Sequence, residues 1–183
     1  RGNSRVSTLY AGGFDDAYYS SVDGDGAMYI VGGRPDTTYF PTLWKIPLTN
    51  GAMGAPVRGP EVGDNATACA SQPNCSNGVY NISPVNVVKN PVTNVERLFF
   101  SMAKDGTAAG CTGACVYMYD LSQTWGTSMV ATAGFPVTGG TGGLVIDNVR
   151  ASAEPGMSQL YFAQQDTAVR ERWQLNISGE IST

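Results

Sequence analysis

The sequence predicts an all-β fold made of three consecutive four-stranded antiparallel sheets, and three observations predict it. Glycine at 23 and proline at 10 of 183 residues, with abundant Thr, Ser, Asn, Val and Tyr, favour short strands joined by tight turns and leave little room for helix. Apolar and polar residues alternate with a period of two in several short runs, which only a strand can use to put one set of side chains on one face. Three segments of the chain also line up with one another, the mark of an internal repeat.

The first segment carries "AMYIVGG" followed by "LWKIPLTNG", the second "RLFFSMAKDG" followed by "VYMYDLSQ", the third "QLYFAQQDT" followed by "RWQLNISG". Each opens on an aromatic-centred strand: Met28-Tyr29-Ile30, Leu98-Phe99-Phe100 and Leu160-Tyr161-Phe162. A polar loop then leads to a second strand that reads aromatic, any, apolar, any, aliphatic. It is Trp44-Lys45-Ile46-Pro47-Leu48 in the first segment, Tyr117-Met118-Tyr119-Asp120-Leu121 in the second and Trp173-Gln174-Leu175-Asn176-Ile177 in the third. A further strand-like run precedes each pair ("YYSSVD", "YNISPVNVV", "GLVIDNVRA"), and a weaker one follows ("GAPVRGPEV", "SMVATAGFPV", "SGEIST"). Four strands per unit, repeated at a spacing of roughly 60 to 70 residues, is the blade plan of a β-propeller. The units fall at 10–62, 79–138 and 141–183, with 63–78 as a disulfide-containing inter-blade loop and the whole chain as one propeller-like region. A β-sandwich is the alternative, because twelve short strands also serve that architecture. Recurrence of the aromatic positions in register favours the propeller. The glycine-rich "GFPVTGGTGGLV" lacks the Lys-Ser/Thr of a phosphate loop and runs into a strand, so it reads as an inter-blade hinge.

The pattern "SSVDGDGAMYIVGG…LWKIPLTNG" resembles blades of the quinoprotein-like and related bacterial propeller repeats, in which a strand ending near Asp-Gly precedes "-Y-V-G-" and a later strand is closed by "-T-G". The second and third units follow the same outline with longer loops. The resemblance implies a propeller fold and leaves activity open, since propellers host many unrelated functions. Propellers close with about four to eight blades, and three are visible here. The chain is therefore expected not to work as an isolated monomer: other copies, another chain or further blades would cover its sheet faces and edges.

Net charge is -4, and the three Lys and eight Arg are scattered, so no basic patch follows a phosphate backbone and nucleic acid is not an expected partner. No apolar stretch reaches the length of a membrane span. The amino terminus "RGNSRVSTLY" has neither an initiator Met nor a signal-peptide apolar segment, which reads as a mature, processed or excised chain. The four cysteines form two close pairs, Cys69 with Cys75 and Cys111 with Cys115, in loops rich in small and polar residues. They read as two local disulfides in an oxidising compartment, giving an extracellular, cell-surface or periplasmic location. Three connectivities are formally open, and a four-thiolate zinc site is the rival, although only the second pair has the spacing of structural zinc ligands. Sequons at Asn65, Asn74, Asn81 and Asn176 also suit an exported protein.

The chain contains no histidine, which removes Ser-His-Asp and Cys-His machinery, imidazole general-base chemistry and the usual mononuclear zinc catalysis. Paired carboxylates remain for glycoside hydrolysis, with Asp15, Asp16, Asp36, Asp147, Glu154 and Asp166 available and Asp15-Asp16 the least ordinary pair. In "VDGDG", Asp23 and Asp25 are a calcium candidate, but a full site needs about six to eight oxygens, and Ala27, Met28, Tyr29 and Ile30 follow instead of a closing acid. A tight turn is the better reading. The stretch also resembles the sialidase Asp-box through Ser21 and Asp23, with its glycine one place out of register, and that box is itself a structural turn. Trp44, Tyr117 and Trp173 read as core anchors, whereas Tyr18, Tyr19, Tyr39 and Phe40, in loop-like contexts, are the candidates for contact with a glycan or a protein partner. The expected function is an exported structural or binding module without enzymatic activity or required cofactor, part of a larger propeller or a self-assembling surface structure. The alternative is a piece of a propeller enzyme, of glycosidase or quinoprotein dehydrogenase type, whose catalytic residues lie mostly outside this chain.

Overall fold

The computed structural model describes residues 11–33, 40–63, 82–90, 93–147 and 159–164, together with the backbone of 172–176. The elements run β1 (Gly13–Phe14), α1 (Asp16–Ser20), β2 (Gly26–Gly33), β3 (Pro41–Thr49), β4 (Ala52–Met53), β5 (Val57–Glu61), β6 (Asn86–Lys89), β7 (Glu96–Gly106), β8 (Gly113–Asp120), β9 (Ala133–Pro136), β10 (Val145–Asp147), β11 (Gln159–Ala163) and β12 (Arg172–Asn176). Among the described residues the fold is all-β apart from the five-residue α1 and a 3-10 turn at Ala108–Gly110. The described strands make three antiparallel sheets.

In sheet 1, β1 pairs with β2 and β2 with β3, while β4 and β5 both pair with the other edge of β3. Asn50 and Gly51, with φ of 50° and 71°, make the two-residue turn between β3 and β4; positive φ at both centres gives the twist that a hairpin requires. Sheet 2 has the order β6-β7-β8-β9 and sheet 3 the order β10-β11-β12. The glycine-rich run lies between β9 and β10 and so joins sheet 2 to sheet 3.

Among the described residues one expected strand is absent, and the strand expected at "SGEIST" lies outside them. "YYSSVD" turns instead into α1, because Asp15, extended at φ -78° and ψ 169°, caps that helix by accepting the Tyr18 N–H at 3.0 Å. The strand that flanks β2 is the short β1 upstream of it. In "YNISPVNVV" the regular strand starts only at Asn86, beyond Pro84, which has no N–H to give to a ladder, and Ile82 makes an isolated bridge to Met102.

The three segments that align in sequence occupy the same register. Ile30 lies opposite Trp44, Phe100 opposite Tyr117 and Phe162 opposite Trp173. Two residues earlier on the first strand, Met28 faces Ile46, Leu98 faces Tyr119 and Leu160 faces Leu175. Each sheet thus has a front, carrying these residues, and a back, carrying the residues between them.

Front meets back between layers. Ala27, Tyr29, Val31 and Leu43 on the back of sheet 1 share a buried core with Leu98, Phe100, Met102, Cys115, Tyr117 and Tyr119 on the front of sheet 2. Phe99, Val116 and Met118 on the back of sheet 2 share a second core with Leu160 and Phe162 on the front of sheet 3. Leu98 to Met102 and Cys115 to Tyr119 are therefore buried without interruption, whereas β2 alternates between buried and half-buried positions. A strand covered on both faces has no reason to alternate.

Polar contacts tie the layers together at several points, among them the Thr107 N–H donating to the Val62 carbonyl at 3.3 Å just beyond β5. The Val85 N–H donates to the Ala11 carbonyl at 2.9 Å, joining sheets 1 and 2, and the Ser101 and Thr141 hydroxyls meet at 2.6 Å between sheet 2 and the segment entering sheet 3. Trp125, from the loop after β8, reaches across to sheet 1. Its ring lies 5.2 Å from that of Tyr29, its Nε1–H donates to the Val57 carbonyl at 3.2 Å, and Gly59 leaves it room, since a Cβ there would come within 2.8 Å of the indole.

Cys111 and Cys115 form a disulfide, with Cα atoms 6.3 Å apart, beside the β7–β8 connection. The Tyr117 hydroxyl donates to the Cys111 carbonyl at 2.9 Å, and a Cβ on Gly106 would overlap that hydroxyl. Cys69 and Cys75 lie outside the described residues. Burial raises the pKa of Tyr29, Tyr117 and Tyr119, to about 12 for Tyr117. A tyrosine held neutral in the fold contributes stability that is complete below its unfolded pKa of 10.0 and lost as pH rises through the folded value. In an alkaline titration we expect these three phenols to ionise together with unfolding, seen as a step in phenolate absorbance that coincides with loss of circular dichroism above pH 10.0. Smooth ionisation of all the tyrosines in an intact fold would contradict their burial.

Candidate functional site

The least ordinary surface lies around α1, where Asp15 does most of the positioning. Its Oδ1 accepts from the Tyr18 and Ala27 N–H groups, both at 3.0 Å, and its own N–H donates to the Ala27 carbonyl at 3.1 Å. Gly26 makes this approach possible, because a Cβ there would come within 2.6 Å of Oδ1. Burial first, and then the charges of Asp15 and Glu96, push the Tyr29 hydroxyl well above its usual range. Asp15 is thus a buried acceptor with its partners in place.

Asp16 ties the same turn to sheet 2. Its N–H donates to Glu96 Oε1 at 2.6 Å, and its carboxylate accepts from Lys89 Nζ at 2.7 Å. The hydrogen bond to Asp16 raises the Lys89 pKa. The Asp15-Asp16 pair therefore faces two different sets of partners.

Held this way, α1 presents aromatic rings. Tyr18 stacks on Phe14 with centroids 4.3 Å apart and planes at 23°, and Tyr19 sits edge-on to both, at 5.6 Å from Tyr18 and 6.3 Å from Phe14. Tyr19 is 71% exposed. Phe14 had no place among the candidate residues read from the sequence, since its contact with Tyr18 arises only because α1 folds back over β1. Tyr18 and Tyr19 lie on this helix rather than in a loop. Phe40 sits just before Pro41, which pairs with Gly33 at the opposite end of the β2–β3 hairpin from Gly26 and α1. Seven residues at about 3.3 Å each separate those ends by roughly 23 Å, so Phe40 and the tyrosines do not form one patch. Tyr39 lies outside the described residues.

"VDGDG" forms a clasp around the neighbouring turn. Ser21 Oγ accepts from the Asp23 and Asp25 N–H groups at 3.2 and 2.9 Å, and Gly24 takes a positive φ of 75°. Asp25 Oδ1 then accepts from the Asn50 N–H at 2.7 Å, and the Gly24 carbonyl accepts from the Gly51 N–H at 3.3 Å. One oxygen of Asp25 is engaged in holding the β3–β4 turn. Among the described residues no three Cys, Asp or Glu side chains converge on a point that could hold a metal ion. Of the other acids considered for paired-carboxylate chemistry, Asp147 ends β10 in sheet 3, whereas Asp36, Glu154 and Asp166 lie outside the described residues.

Of the three aromatic anchors, Tyr117 is fully buried and Trp44 half-buried, and the Trp173 side chain lies outside what the structure describes. Trp125, which bridges sheets 1 and 2, has no counterpart in the repeat pattern and so carried no signal in the sequence. Compared with known protein families, curated proteins and solved structures, the chain finds no significant match.

The clasp and the cap make separable predictions. Asp15→Ala removes an N-cap and a buried acceptor and is expected to cost about 2 kcal/mol in denaturant unfolding. Asp25→Ala is expected to lower the melting temperature by the same amount with calcium as with chelator. A calcium-dependent rise in the melting temperature that disappears in Asp25→Ala would make the clasp a metal site instead.

Proposed function

We propose that this chain is a stack of three β-propeller blades that serves as an exported structural and binding module, with no reaction carried by its own residues. One observation supports this reading above the others. Aligned residues of three sequence repeats occupy the same cross-strand register in three consecutive sheets, and the middle sheet is packed front and back by its neighbours. That is how blades pack around a propeller axis. The Cys111–Cys115 disulfide and the absence, among the described residues, of a helix able to cross a membrane suit export into an oxidising compartment. The aromatic cluster of Phe14, Tyr18 and Tyr19 is the contact we assign to a saccharide ring, because an exposed tyrosine held by stacked neighbours offers contact area at little ordering cost.

Two measurements test the parts of this reading. Hydrogen exchange followed by mass spectrometry should find the amides of β7 and β8 the slowest in the chain, since these strands are covered on both faces. Slower exchange in β2 or β11 than in β7 and β8 would contradict a stack centred on sheet 2. Tyr19→Ala should abolish retention on a glycan array while shifting stability by less than about 0.5 kcal/mol, as expected for an exposed position; unchanged retention would remove the cluster from the binding surface.

A further inference from the structure

The stack has two different ends, and the repeat says what each end fits. The position occupied by Tyr29 in sheet 1 and Phe99 in sheet 2 faces the following sheet, and these residues are 4% and 1% exposed. Tyr161 holds that position in sheet 3 and is 38% exposed, beside its cross-strand partner Val145 at 63%. At the other end, Leu98, Phe100 and Tyr117 face the preceding sheet and are fully buried. Their equivalents in sheet 1, Met28, Ile30 and Trp44, are only half-buried.

We propose that the front of sheet 1, through Met28, Ile30 and Trp44, docks on the back of sheet 3 of a second copy of this chain, through Tyr161 and Val145. The occupant follows from the two junctions already inside the molecule, each a front of the first kind laid on a back of the second. A second copy supplies the missing back to sheet 1 and the missing front to sheet 3. The contact joins unlike faces, so two copies related by a two-fold axis make it twice and close a ring. Two copies bring six sheets, within the range of about four to eight at which propellers close. This inference rests on reading the chain as a stack of blades.

The test is light scattering of the full chain and of two variants, Trp44→Glu at the front and Val145→Glu with Tyr161→Glu at the back. The wild-type chain should run as a dimer of 19.3 kDa subunits. Each variant alone should dimerise at least about tenfold more weakly, as expected when an aromatic contact is lost from an interface core. An equimolar mixture of the two should recover a dimer, because it retains one intact front and one intact back. A contact of like with like would instead leave one variant unaffected, and that result overturns the proposal. So does a wild-type monomer at 100-fold dilution and at high concentration alike, or an assembly of any other number of copies. Circular dichroism and the exchange protection of β7 and β8, measured on the same samples, separate the two levels. A monomer that keeps that protection rejects the second copy but leaves the blade stack standing, whereas loss of the protection rejects both.

Discussion

Everything in this fold depends on sheet 2 being buried on both faces. Ten consecutive-strand positions, Leu98 to Met102 and Cys115 to Tyr119, have no access to solvent worth the name, and their side chains alternate between two cores. Fully burying one large apolar side chain contributes roughly 1.5–3 kcal/mol, so these two strands carry much of the hydrophobic stabilisation of the described residues. The flanking sheets contribute one face each. Remove the middle layer and neither of them has a core of its own.

The polar parts of the structure serve the same geometry. Asp15, Asp25 and Glu96 spend their oxygens on backbone N–H groups at places where the chain leaves a ladder and would otherwise strand a donor. The Thr141 hydroxyl donates to the Gly142 carbonyl at 2.9 Å and meets the Ser101 hydroxyl at a buried layer junction, so both hydroxyls are satisfied there. Acidic residues that look from composition like solvated loop charges are, in this fold, turn and junction fasteners.

The repeat was the legible part. An alignment of aromatic and aliphatic positions in the sequence made Ile30, Phe100 and Phe162 equivalent and likewise Trp44, Tyr117 and Trp173, and the structure pairs the two sets across the strands in one register. Period-two alternation carries that information because it survives any loop length between strands. Local competition was the illegible part: "YYSSVD" alternates well enough for a strand, but Asp15 finds a helix N-terminus to cap and Gly26 a space to leave empty, and neither partner is visible from the hexapeptide. The aromatic cluster was half legible for the same reason. Tyr18 and Tyr19 stood out by composition, Phe14 did not, and Phe40 falls at the wrong end of the hairpin.

The order of strands carries a consequence for how the chain reaches this state. In all three sheets the main ladders join strands that are neighbours in sequence or nearly so, from β1 with β2 to β11 with β12. Loop closure within each sheet is therefore short, and a layer can zip up as a succession of hairpins before it meets another. Stacking is the late, long-range step. During the interval each finished layer shows water two apolar faces that match not only its proper neighbour but every other layer of the same repeat, so an early layer on one nascent chain is a ready template for a layer on the next. The internal symmetry that makes the packing rule so simple also makes misassembly between chains the principal hazard of folding, and it gives rapid joining of adjacent layers, through ties such as the Val85–Ala11 bond, a kinetic value beyond the stability it adds.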